Sequence, residues 1–144
     1  DAWREARVAL EPIEAELALA GYSGFAPRVA ETKWRLVEFL IACRRDGKRV
    51  AGYGAPGKGN TLLNYCGIRT DLVEFTVDRN PYKQGQFLPG TRIPIREPEE
   101  LERGRPDFVL ILPWNLSEEI MAQLSHLRER GTRFVVPIPE VSVL

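Results

Sequence analysis

The chain has 144 residues, which supports one domain with a real core and a small appendage. Its 20 basic residues balance 20 acidic ones, so it makes no electrostatic case for a nucleic-acid partner or an anionic membrane surface. No apolar run approaches the 18 residues of a membrane span and no signal peptide is visible, so the expected location is cytoplasmic.

In chain order, residues 1–26 come first as a helical arm. Trp3, Ala6, Leu10, Ile13 and Leu17 repeat with helical spacing, interrupted by Pro12. Such an arm packs either on the domain or on a body outside it, which makes it a candidate inter-domain linker. The chain does not begin with methionine and reads as a piece of something longer. Residues 27–144 form the domain proper. A helix is expected over 28–45, entered through Pro27 and stopped by Asp46-Gly47. A strand over 49–53 follows, then a glycine-rich turn and a short helix over 61–66. A second strand over 72–77 ends at Asp78. The segment 80–90 is poor in helix signals and leads to a third strand over 93–95. A brief helix covers 98–103, closed by Gly104. The unbroken apolar run 108–112 reads as a strand covered on both faces. Asn115-Leu116-Ser117-Glu118 reads as a capping box, opening a helix that carries Leu116, Ile120, Leu124 and Leu127 on one face and ends at Gly131. The last strand is 134–136.

Alternating helices and strands predict an α/β, Rossmann-like, doubly wound five-stranded parallel sheet. Pro94 falls in the third strand and Pro137 at the end of the fifth, where a missing N–H is best tolerated on a sheet edge. The order 3-2-1-4-5 puts both on edges and makes the first strand central. Ligands of such sheets bind beyond the strand C-termini, where the winding reverses. The glycine turn, Asp78 and Pro113-Trp114-Asn115 should meet there.

The turn is the most informative stretch. Gly52-x-Gly54-x-x-Gly57 meets the dinucleotide-binding spacing, and Asp78 follows about 20 residues on, where an acid would accept ribose hydroxyls. The amides of residues 54–59 are expected to stand open to a ligand carrying phosphate, ribose or carboxylate, with Lys58 adding positive charge. A tight structural turn without a ligand has the same spacing. Gly52 to Lys58 also resembles the triphosphatase phosphate loop, but Gly59 stands where magnesium requires Ser or Thr, and that reading is rejected. Cys43 and Cys66 form no Cys-x-x-Cys pair and His126 is the single histidine, which argues against zinc and for buried, reduced thiols. His126 reads as a surface residue.

Several segments together resemble the C-terminal domain of the S-adenosylmethionine-dependent sugar C-methyltransferases. They are Gly52-Tyr53-Gly54-Ala55, Lys58-Gly59-Asn60-Thr61-Leu62-Leu63-Asn64, Asp78-Arg79-Asn80-Pro81 with Lys83-Gln84-Gly85, Pro89-Gly90-Thr91, Ile93-Pro94-Ile95, Pro106-Asp107, and Leu110-Ile111-Leu112-Pro113-Trp114-Asn115. The resemblance implies a Rossmann-like domain that helps hold a nucleotide-linked keto-deoxysugar. It also implies a zinc-binding N-terminal part and a central methyl-donor domain elsewhere in the polypeptide, with S-adenosylmethionine bound by the intact enzyme and not by this domain alone. No catalytic residue is assigned to this chain. Its expected roles are orientation: Gly54, Ala55, Lys58, Gly59 and Asn60 near phosphate or sugar oxygens, Asp78 and Asn80 on hydroxyls, with Lys83 beside them, and Trp114 and Asn115 on the crevice wall. The rivals are a stand-alone NAD- or CoA-binding Rossmann module with a regulatory or redox role, and a ligand-free scaffold that buttresses a neighbour.

Overall fold

The computed structural model describes residues 25–144, so all but the last two residues of the arm expected over 1–26 lie outside the described residues. Helix α1 spans Phe25–Arg45, beginning ahead of Pro27, which sits in its first turn where its missing N–H costs nothing. It is followed by β1 (Val50–Tyr53), α2 (Gly57–Cys66), β2 (Thr76–Val77), β3 (Ile95–Arg96), α3 (Glu100–Gly104) and β4 (Phe108–Ile111). A 3-10 turn over Trp114–Leu116 leads into α4 (Ser117–Gln123) and α5 (Ser125–Glu129), and the chain closes with β5 (Arg133–Val136) and β6 (Ser142–Val143).

The six strands form one sheet in the order β3-β2-β1-β4-β5-β6. The first five are parallel in the expected 3-2-1-4-5 order, and β6 adds an antiparallel strand through Val135–Val143 and Val136–Ser142. The five-stranded, all-parallel expectation is therefore corrected to a mixed sheet of six. Pro137 is not on an edge as supposed: it falls just past β5, where no ladder bond is asked of it. Pro94 also lies outside its strand proper, and its carbonyl accepts the Thr76 N–H at 2.9 Å.

Both faces of the sheet are covered. Phe108 meets Phe39 of α1 edge-on at 5.0 Å, and Lys33 of α1 lies 4.9 Å over the Tyr65 ring of α2. Val109 pairs with Phe134, so these two point to the face opposite Phe108, and there Arg128 of α5 lies 5.1 Å from the Phe134 ring. Thus α1 and α2 cover one face and α5 the other, with the central strands β1 and β4 buried between them. Among the described residues no helix is long and apolar enough to cross a membrane.

Two helix expectations need correction. The segment 115–131 is two short helices broken at Leu124, and no side-chain bond caps the start of α4. Leu116 is 45% exposed, so the buried stripe consists of Ile120, Leu124 and Leu127 alone. The capping box fails because Pro113 is followed by the 3-10 turn, which carries Trp114 into the core, 6% exposed, and moves Asn115 off the cap position.

Candidate functional site

The candidate site is the group of loops beyond the C-terminal ends of β1, β2 and β4. The turn, Asp78 and Pro113 do converge: the Ala55 N–H donates to Asp78 Oδ2 at 3.0 Å, and a Cβ on Gly54 would stand 2.7 Å from the Pro113 ring. The convergence is tighter than a ligand-ready turn would be. Gly54 takes φ +93, donates its N–H to the Val77 carbonyl at 2.6 Å, and receives the buried Thr76 hydroxyl on its own carbonyl at 2.6 Å. Ala55 is engaged at both ends as well, since its carbonyl accepts Lys83 Nζ at 3.0 Å. The expectation of open amides from Gly54 onward therefore fails for Gly54 and Ala55.

What remains accessible is the start of α2. This helix begins at Gly57, not at Thr61, and its first helical bond runs from the Asn60 N–H to the Pro56 carbonyl at 3.0 Å. The amides ahead of that bond have no acceptor within the helix and leave its positive end facing outward. Gly57 and Lys58 are exposed, and nothing lies within 4 Å of a Cβ placed on Gly57. Gly59 is different: it is buried, and a Cβ there would meet Leu112 Cβ at 2.8 Å. Asn60 is half-buried, its side-chain oxygen 3.3 Å from Asn64 Nδ2.

Asp78 organises its own loop. Oδ1 accepts the Asn80 N–H at 2.8 Å, Oδ2 accepts Ala55, and the Asp78 carbonyl accepts Gln84 Nε2 at 2.8 Å. Both carboxylate oxygens thus already carry a backbone amide, which tells against the simple ribose-binding role of a dinucleotide fold. Asn80 is exposed, with its Oδ1 accepting the Tyr82 N–H at 3.0 Å. Trp114 is buried, so it cannot present its face to a crevice as supposed, whereas Asn115 is exposed.

Beside these residues lies a cleft of about 290 Å³, lined by Tyr53, Asp78, Arg79, Leu116, Glu119 and Gln123 among others. Arg79 donates to Gln123 Oε1 at 2.7 Å and bridges the end of β2 to α4. Glu119 and Gln123 were not read from the sequence. Their helical spacing would have pointed to a shared face, but only the turn at Pro113 sets which way that face looks. A second cavity of about 300 Å³, with Arg105, Asp107, Arg130 and Thr132, opens at the other end of the sheet. There Asp107 Oδ2 accepts the Arg49 N–H at 2.8 Å and the Thr132 hydroxyl donates to the Pro106 carbonyl at 2.9 Å, so its polar groups serve as joints between strands. Among the described residues no group of His, Cys, Asp or Glu could hold a metal ion. His126 is exposed and pairs with Glu102 at 3.0 Å.

The model of the family described as C-methyltransferase C-terminal domain matches residues 6–139. The chain is also similar to the C-methyltransferase NovU of Streptomyces niveus, 43% identical over 123 residues. That match covers 85% of this chain and 29% of the relative, so the chain spans less than a third of the relative's length. The fold, the motifs at the strand ends and the family match together show that this chain belongs to the C-methyltransferase C-terminal domain family.

Proposed function

We propose that this chain is the substrate-side domain of a C-methyltransferase and that it holds a nucleotide-linked keto-deoxysugar for methylation at ring carbon. The single observation that carries this reading is the exposed start of α2, with Gly57 and Lys58 beside the clasped Asp78 loop at the reversal of the sheet, in a chain of this family. A helix N-terminus with a lysine suits a diphosphate, because the helix dipole and the lysine charge both favour a negative group. The side-chain amides of Asn80 and Asn115 are exposed and offer donors and acceptors to sugar hydroxyls. Asp78 and Lys83 contribute by fixing the loop and not by touching the sugar.

In this reading S-adenosylmethionine, bound elsewhere in the intact polypeptide, supplies the methyl group. The turn here suits that cofactor poorly, because the amides of Gly54 and Ala55 are engaged, Pro56 has none, and each Asp78 oxygen already accepts a backbone N–H. The domain's work is positioning, which raises rate by converting an encounter into a fixed geometry.

The test is titration calorimetry with a nucleoside-diphosphate-linked deoxysugar. Lys58→Ala should weaken binding about tenfold, the scale of one charge-assisted hydrogen bond. Unchanged affinity removes Lys58 from the site. A chain stabilised on heating by NAD or coenzyme A, and not by the sugar nucleotide, would replace this reading with the dinucleotide one.

A further inference from the structure

Helix α1 carries two apolar stripes. Val29, Leu36, Leu40 and Cys43 are buried in the core. Ala30, Trp34, Val37 and Ile41 form the second stripe, at spacings of four, three and four residues. Trp34 is 59% exposed and Ile41 37%, with Ala30 and Val37 half-buried at its edge. A lone exposed apolar side chain is ordinary surface. A row of four at coiled-coil spacing, on a helix whose other face is already packed, is half of an interface.

The matching half stands directly ahead in the sequence. Trp3, Ala6, Leu10, Ile13 and Leu17 follow one another at spacings of three, four, three and four residues. Folding the chain back on itself sets Leu17 opposite Ala30 and Ile13 opposite Trp34. In the same register Leu10 meets Val37, Ala6 meets Ile41, and Trp3 comes beside Arg44, a cation suited to an aromatic face. The fold-back point then falls at Ser23-Gly24, within the run Gly21-Tyr22-Ser23-Gly24 that leads into Phe25, where a short helix–helix connection is needed. Pro12 takes an outward position, so a kink there leaves the stripe whole.

Charge decides between this partner and a second copy of the chain. In the fold-back the flanking positions bring Arg7 to Glu38 and Glu16 to Lys33, both pairs of opposite sign. Glu14 comes to Glu31, whose carboxylate already pairs with Arg35 at 2.9 Å. Two copies of α1 paired on the same stripe would set Glu31 against Glu38 twice and gain no opposite-sign pair. The family match, over residues 6–139, also takes in most of this stretch together with the sheet.

We propose that residues 3–17 pack as a helix antiparallel to α1 on its outer stripe, completing an αα-hairpin that belongs to this domain. Disulfide trapping in the full 144-residue chain tests it, since two cysteines bridge only when their Cα atoms come within about 7 Å. Leu10→Cys with Val37→Cys, and separately Ala6→Cys with Ile41→Cys, should close within one chain on mild oxidation, at a rate independent of protein concentration. Leu10→Cys with Arg44→Cys, one heptad or about 10 Å out of register, should stay open. Cys43 and Cys66 are buried and do not compete. Arg7→Glu should slow closure of the first pair, and Glu38→Arg added to it should restore the rate. Bridges between chains overturn the proposal, as does closure of all three pairs alike, or of none in chains whose circular dichroism matches the wild type. In the unmodified chain the amides of residues 6–20 should be protected from hydrogen exchange, and exchange there at the rate of an unfolded peptide overturns the proposal without any variant.

Discussion

Gly59 occupies the place of the magnesium-binding Ser or Thr in a triphosphatase loop, and the contact with Leu112 explains why no side chain can stand there. Gly59→Ser should cost about 1–3 kcal/mol, the usual range for overpacking a core, measured by urea denaturation. The sequence spacing Gly-x-Gly-x-x-Gly was legible, but the use of each glycine was not. Gly52 makes room for Thr76, Gly54 supplies a positive φ against Pro113, Gly57 faces open space, and Gly59 brings α2 close to β4. Which glycine approaches what depends on the strand across the way, and a local pattern does not contain that strand. Thr76→Val tests the same turn from its other side. Removing the hydroxyl leaves the Gly54 carbonyl without that donor, for an expected loss of about 1–3 kcal/mol in the same measurement. The thiols give a pH prediction. Burial pushes Cys66 up to about 12 from a usual 9.0. An acid whose folded pKa is raised stabilises the fold fully below its unfolded pKa, so stability should fall as pH rises from 9.0 towards about 12, and Cys66→Ser should flatten that part of the curve in thermal unfolding. Cys43 is also raised, first by burial, so neither thiol should react with iodoacetamide at pH 8 in the native chain.

Several of the residues that carry the family resemblance serve joints between elements. Asn64 of α2 donates to the Pro89 carbonyl at 3.0 Å, and Arg69 donates to the Gly90 carbonyl. Gly90, at φ +82, has Asn64 where a side chain would have to go. Together they hold the hairpin that returns from the Tyr82 loop to β3, where the Leu88 N–H reaches the Ile93 carbonyl at 2.9 Å and the Ile95 N–H reaches the Gln86 carbonyl at 2.8 Å. Asn64→Ala should speed amide exchange at Leu88 and Arg92 with little effect on the central strands, because the hairpin lies at the sheet margin. The sequence marked 80–90 as helix-poor but gave no sign of this return. The pairing there is a single bridge between Phe87 and Pro94 and has no alternating run behind it. The α4 start was misread for an energetic reason. A side-chain cap contributes about 1 kcal/mol, and burying a large aromatic such as Trp114 contributes more. The cap gives way.

At the scale of the whole molecule, the strand order was legible because strong apolar runs and Pro94 beside the edge strand β3 left few arrangements, although Pro137 pointed to an edge that β6 covers. Strand β6 was not, since Ser142–Val143 is too short for a period and follows Pro137 and Pro139. It nevertheless matters for solution behaviour. Leu144 exchanges both backbone hydrogen bonds with Phe134, at 2.9 and 2.7 Å, and so covers the outer side of β5. Cutting the chain before Val141 should bare that side and promote aggregation, visible by light scattering at a concentration where the longer chain stays clear.

Helix α1 runs down towards the start of β1, so its first turns lie at the opposite, upper end of the sheet. Arg28 and Thr32 there border a groove with Pro139 and Glu140, which follow the upper end of β5. The first turns of α1 therefore stand level with the rim that carries Lys58. Whatever the chain carries ahead of Phe25 therefore starts on the Lys58 side of the sheet, with no strand to cross.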